Sequence, residues 1–219
     1  MIGFMQGRLT PSLAGDLQFF PWDNWKNEFL IASKNNFNLI EWTIDSFDIE
    51  KNPFFKFYDE ILNLSSKFNI SIKSVTCDFL MECPFYKENK ENEIDSLYFL
   101  NETINFSKKL GVKFIIFPLV DNGSIKNSKE LDFFFNGIRT IESSLSKNTQ
   151  IIFETDFAPV KQLRFIKNFC STKFGINYDT GNSAYNGYDT IDELTTYYDY
   201  IKNIHIKDRR FKVDTFYKT

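Results

Sequence analysis

The 219-residue chain has one histidine and three cysteines, Cys77, Cys83 and Cys170. An odd cysteine count without a CxxC pair argues against structural disulfides and a thiolate metal centre, and predicts free thiols. A basic cluster is also missing. Net charge is -3 and the Lys and Arg residues are spread along the chain, which disfavours nucleic acid as a main partner. No run approaches the roughly 20 apolar residues of a membrane span, so no membrane partner is expected. The start, Met1 to Arg8, has no basic region followed by an apolar stretch, and the expected location is cytoplasmic. Gly3-Phe-Met-Gln-Gly7 is neither a GxGxxG turn nor a P-loop, so the usual nucleotide signature is absent.

What is present is ordinary in bulk and ordered in pattern. Hydrophobic residues make up 42% and charged residues 25%, as in soluble globular proteins, and the length suffices for a full core. The 26 Phe stand out, but a nucleotide bias could produce them, and no function is read from them. Short apolar strands alternate with amphipathic helices seven times. Strands are predicted at Ile2–Gln6, Leu39–Trp42, Ile70–Thr76, Val112–Phe117, Gln150–Glu154, Phe174–Asp179 and Lys202–Lys207. Helices are predicted at Asn24–Lys34, from Pro53 to Phe68, and at about Glu93–Leu110. Three more follow at Ser128–Ser146 with Ser128 as cap, Pro159–Phe169 and about Thr190–Tyr200. A long loop is expected from Gly7 to about Trp22, another over Cys77–Pro84, and a turn through Gly181. No linker interrupts the alternation, which makes residues 1–219 a single α/β domain with a parallel sheet.

Several strands stop on polar residues: Glu41, Asp78, Glu154, Asp179 and His205. Polar residues converging from many strand ends suit a (β/α)8 barrel better than a doubly wound sheet. Glu154, Asp179 and His205 lie 25 and 26 residues apart, one strand, loop and helix per step. Consecutive βα units would bring them to one end of the sheet, where two carboxylates and an imidazole make a site for one divalent metal ion. Each alone could instead cap a helix or satisfy a loop.

The motifs Met5-Gln-Gly-Arg-Leu9, Ile40-Glu-Trp42, Ile152-Phe-Glu-Thr-Asp156, Tyr178-Asp-Thr-Gly-Asn-Ser183 and His205-Ile-Lys-Asp-Arg209 resemble those of the xylose isomerase-like TIM barrel superfamily, in particular its sugar phosphate isomerases/epimerases. The resemblance spans nearly the whole chain. It implies Glu154, Asp179 and His205 as ligands of Mn, Mg, Co or Zn. It also implies Glu154 as the catalytic proton shuttle through a cis-enediolate, and a sugar or sugar phosphate as substrate. A further ligand expected on an eighth strand has no counterpart, because only 14 residues follow His205. The expected fold is therefore a (β/α)8 TIM barrel of the xylose isomerase-like type that lacks its eighth βα unit and is C-terminally incomplete. Two unpaired edge strands then make a homodimer a candidate state.

Arg8 and Arg209 are candidates for gripping phosphate or carboxylate, against an ordinary ion pair such as Arg209 with Asp208. Glu41 and Asp78 suit substrate hydroxyls or the pinning of a loop. Asn182 suits a hydroxyl or the cap of the sixth helix, and Lys207 suits solvent equally well. The leading expectation is a metal-dependent isomerase or epimerase. The alternative is a catalytically impaired or non-catalytic relative that binds a sugar or a partner. Cleavage of abasic DNA, the chemistry of endonuclease IV in the same superfamily, uses several histidines and is opposed by the single one here.

Overall fold

The computed structural model describes residues 2–10, 19–87 and 95–212. Seven strands form one parallel sheet in the order of the chain: β1 (Phe4–Met5), β2 (Leu39–Ile44), β3 (Ser71–Cys77), β4 (Phe114–Leu119), β5 (Gln150–Thr155), β6 (Phe174–Asp179) and β7 (Ile201–His205). Among the described residues the sheet has seven strands, in the consecutive parallel order of a (β/α)8 barrel, and no eighth. Every step pairs a strand with its successor, the arrangement that right-handed βαβ crossovers generate. The crossovers run through α1 (Trp25–Lys34), α2 (Pro53–Lys56), α3 (Tyr58–Phe68), α4 (Phe79–Glu82), α5 (Ser96–Leu110), α6 (Ser128–Glu142), α7 (Pro159–Ile166), α8 (Thr180–Asn186) and α9 (Thr190–Tyr197).

The strands from β2 to β6 are buried along most of their length because both faces are covered, whereas β7, at the sheet's edge, alternates between half-buried and exposed. Between sheet and helices the phenylalanines interlock. Phe134 on α6 is fully buried, and its ring lies 5.5 Å from Phe117, 5.6 Å from Phe153 and 5.7 Å from Phe165. Among the described residues, no helix is long and apolar enough to cross a membrane.

Four local expectations are corrected. The helix beginning at Pro53 is interrupted at Phe57, whose φ of -118° and ψ of 45° end α2 and begin α3. The cap of α6 is Asn127 rather than Ser128: its carboxamide oxygen accepts from Glu130 N at 2.9 Å, while Glu130 Oε2 accepts from Lys126 N. β4 continues through Pro118 and Leu119 instead of stopping at Phe117, because its last paired residue against β3 is Ile116 and the missing proline N–H comes after it. Thr180 to Asn186 is a helix, not only a turn. Asp179 Oδ1 caps it by accepting from Asn182 N at 2.9 Å, and Gly187, at φ +72°, ends it.

Candidate metal centre

Parallel strands carry their last residues to one end of the sheet. Asp179 and His205 close β6 and β7 and are direct register partners; Glu154 lies one residue before the end of β5. Glu154 and Asp179 are 6% and 4% exposed, and the His205 side chain 12%. One ligand atom from each lies within 4.8 Å of the other two. His205 Nδ1 faces Glu154 Oε2 at 3.2 Å and Asp179 Oδ2 at 3.6 Å.

Strand alternation supplies a supporting layer. Asn177 points to the same face of β6 as Asp179, two residues on. Its Nδ2 donates to Glu154 Oε2 at 2.6 Å and lies 3.0 Å from His205 Nδ1, and its Oδ1 accepts from Asn203 at 2.8 Å. Asn182 Nδ2 donates to the other oxygen, Glu154 Oε1, at 2.7 Å. Both oxygens of Glu154 are thus held by amides. On the far side of the imidazole, Glu41 Oε1 stands 2.9 Å from His205 Nε2, and Glu41 Oε2 accepts from its cross-strand neighbour Ser74 at 2.7 Å. The contact is one of charge and proximity, since neither Glu41 Oε1 nor His205 Nε2 is in an aligned hydrogen bond, and Nδ1 faces the two carboxylates.

The charges reinforce one another. Burial works against ionisation of Glu41 and Asp179, yet His205 and Lys207 outweigh it and hold both below their ordinary values, Asp179 well below. Burial likewise works against protonating His205, but the charge of Glu41 and the contacts with Asp179 and Glu154 push its pKa well up. Lys207 Nζ approaches Asp179 Oδ2 to 2.7 Å and Glu154 Oε1 to 3.8 Å.

These residues fit a divalent cation. Two carboxylates and an imidazole are suitable donors, and buried Asp179 Oδ2 has no aligned hydrogen-bond donor despite the ammonium beside it. With a neutral imidazole, Glu41, Glu154 and Asp179 set against Lys207 leave two negative charges, which one divalent cation would balance.

The remaining candidates border this cluster. Asp78 is buried, accepts from Thr76 Oγ1 at 3.2 Å, and is the charged neighbour of the exposed Arg8. Arg8 rides on a loop clamped by Glu28, which accepts from Gly7 N at 2.9 Å, Leu9 N at 3.2 Å and Thr10 Oγ1 at 3.2 Å. Gly7 takes φ +87° there, and a Cβ would stand 2.5 Å from Phe19 O. Arg209 donates to Asn182 Oδ1 at 3.1 Å and stacks 4.4 Å from the Tyr185 ring. Asn182 therefore lies inside α8 and links Glu154 to Arg209.

Sequence reasoning missed Asn177, Ser74, Glu28 and the engagement of Lys207. The first two were accessible from period-two alternation: Asn177 shares a face with Asp179, and Ser74 pairs with Glu41. Glu28 sits among apolar residues of α1 and carried no such signal. It missed Glu193 as well, which accepts from Tyr178, Ser183 and Tyr197 and ties α9 to β6 and α8.

A family model described as xylose isomerase-like TIM barrel matches residues 29–217. The chain belongs to the xylose isomerase-like TIM barrel family. By sequence, no curated protein matches it. Among solved structures, 3-keto-D-glucoside 4-epimerase YcjR from E. coli superposes with a TM-score of 0.71 at 12% identity, covering 94% of this chain and 78% of that one. An L-ribulose 3-epimerase gives 0.63 at 15%, covering 94% and 69%. IolI protein, solved with a zinc atom, gives 0.62 at 13%, covering 87% and 70%. Solved structures that share this fold thus include, by their names, sugar epimerases and a protein solved with zinc.

Proposed function

We propose that the protein is a metal-dependent isomerase or epimerase of a sugar or sugar phosphate, working by proton transfer beside a carbonyl through a cis-enediolate. The observation that supports this most is the convergence of Glu154, Asp179 and His205 ligand atoms within 4.8 Å at three consecutive strand ends. Two epimerases among the structural neighbours add to it, both acting, by their names, on keto sugars or their glycosides. Glu154, Asp179 and His205 would hold one Mn, Mg, Co or Zn ion, the oxygen-rich set favouring Mn or Mg. When bound, such an ion supplies Lewis acidity to the carbonyl and hydroxyl oxygens of the substrate.

In this reading Glu154 takes the proton from the carbon next to the carbonyl and returns it, with Asn177 and Asn182 fixing the plane of its carboxylate. Glu41 orients His205. Arg8, Asp78, Asn182 and Arg209 bind the substrate's hydroxyl or phosphate oxygens.

A second reading, a sugar-binding or partner-binding relative without turnover, is favoured by one observation. Among the described residues the cluster has three acidic or imidazole ligands and no fourth. Metal analysis of the purified protein, with Asp179→Ala as control, joined to a screen of keto sugars and sugar phosphates in deuterated water, separates them. About one ion per chain, lost in the variant, with deuterium entering beside a carbonyl supports the enzyme. Metal without exchange favours the binding relative. If no metal is retained or bound on addition, the metal-enediolate mechanism fails.

A further inference from the structure

Lys207 lies two residues past the end of β7, and its backbone is fixed from two sides. Thr180 Oγ1 accepts from Lys207 N at 3.0 Å and lies 3.1 Å from Lys207 O. Gly181 leaves the space its side chain needs, since a Cβ there would stand 2.8 Å from Lys207 Cβ and 3.2 Å from Asp179 Oδ1. From this anchor the ammonium reaches Asp179 Oδ2 at 2.7 Å and Glu154 Oε1 at 3.8 Å. The Lys207 side chain is 30% exposed, against 1% and 8% for those of Asp179 and Glu154, so it meets the cluster from its more open side. The same Thr-Gly pair that starts α8 thus determines where a positive charge stands.

We infer that Lys207 is a tethered cation that competes with the divalent metal ion for Asp179 and Glu154, and so sets how tightly the site holds its ion. The inference rests on the metal reading above and deepens it. A charged ammonium has three N–H donors and no lone pair, so it cannot serve as a ligand; it draws on carboxylate lone pairs that a metal needs. At these separations it also repels a dication, and burial leaves little water to screen the repulsion. A metal ion entering between Asp179 and Glu154 must therefore turn the ammonium aside. Lys207 keeps the carboxylates compensated at other times, and it makes the ion exchangeable.

The test is isothermal titration of Mn²⁺ into chelator-stripped wild type, Lys207→Met and Lys207→Arg at one pH, with circular dichroism and thermal melts confirming the fold. Lys207→Met removes the charge at similar length and should bind Mn²⁺ at least tenfold more tightly, about 1.4 kcal/mol. Lys207→Arg keeps the charge and should stay within threefold of wild type. If wild type binds and Lys207→Met binds equally or more weakly, the competition is overturned while the metal site stands. Tightening in Lys207→Arg as well would make the effect steric and also overturns it. If neither wild type nor Lys207→Met binds, the metal reading itself falls. Should Lys207→Met fail to fold, Lys207→Gln takes its place, and failure of both even with saturating Mn²⁺ makes Lys207 a structural counter-ion and refutes the inference.

Discussion

Replacing Glu41 by Gln removes a charge and leaves one acceptor where there were two. With its amide oxygen toward His205 Nε2, 2.9 Å from Glu41 Oε1, the NH2 faces Ser74 Oγ, 2.7 Å from Glu41 Oε2, and the hydroxyl accepts there instead of donating, so the packing survives. What is lost is the negative charge behind the imidazole, which makes Nδ1 a better donor to a cation held between it, Glu154 and Asp179. Carboxylates that support a metal-ligating histidine in this way are worth roughly 10- to 100-fold in metal affinity, and the charge-only substitution belongs at the lower end, about tenfold. Glu41→Ala goes further. It frees the ring and leaves the Ser74 hydroxyl without its acceptor, adding about 1–3 kcal/mol of lost stability. Titration of Mn²⁺ beside urea unfolding of the stripped proteins measures both. Unchanged Mn²⁺ affinity in Glu41→Gln, with a raised KM for a substrate found in the screen, would refute the positioning role and return Glu41 to the substrate's hydroxyls.

Three further outcomes follow from other parts of the chain. Asp45 is buried and its pKa is pushed up to about 6, mainly by burial and further by Glu82, against the hydrogen bond from Phe20 N. The folded state then holds the proton more tightly than the unfolded one, so this stabilisation is complete below about pH 4 and lost as pH rises through about 6. Asp45→Asn keeps an acceptor for Phe20 N, and its stability relative to wild type should improve from pH 4 to pH 7 by about 2 kcal/mol, read by urea unfolding at both pH values; a constant difference refutes it. Glu28→Gln loses an oxygen that serves the loop's donors, costs about 1–3 kcal/mol, and should speed tryptic cleavage after Arg8. Phe134→Ala empties the meeting point of Phe117, Phe153 and Phe165 and should cost about 3–5 kcal/mol in thermal or urea unfolding; a loss under 1 kcal/mol would contradict the packing.

The order of elements was legible because parallel strands buried on both faces and helices with one apolar stripe leave different periods in the sequence. The break at Phe57 was not, since nothing in Phe54-Phe-Lys-Phe-Tyr58 discourages continuing the helix. Nor was the helix after Asp179: Gly181 reads as a turn, and only the capping by Asp179 Oδ1 turns Thr180–Asn186 into helix. At the strand ends the 25- and 26-residue spacing gave Glu154, Asp179 and His205 as a set. It gave nothing about Glu28, whose partners lie 18 to 21 residues away on another element.

Asn177 shows how far such a reading reaches. Its amide spans Glu154, His205 and Asn203, three strands' worth of polar groups, from a position that composition treats as an interruption in an apolar run. An asparagine there would leave unpaired polar atoms in the core unless every neighbour answered it, and such burial costs several kcal/mol when unanswered. Here the answering groups are Glu154 above and Asn203 beside it, one on each adjoining strand. The polar layer below the three candidate ligands is therefore specified strand by strand. A site whose supporting hydrogen bonds come from β5, β6 and β7 together cannot form before that part of the sheet has closed in register, and the integrity of the candidate centre is in this sense a property of the barrel rather than of any one motif.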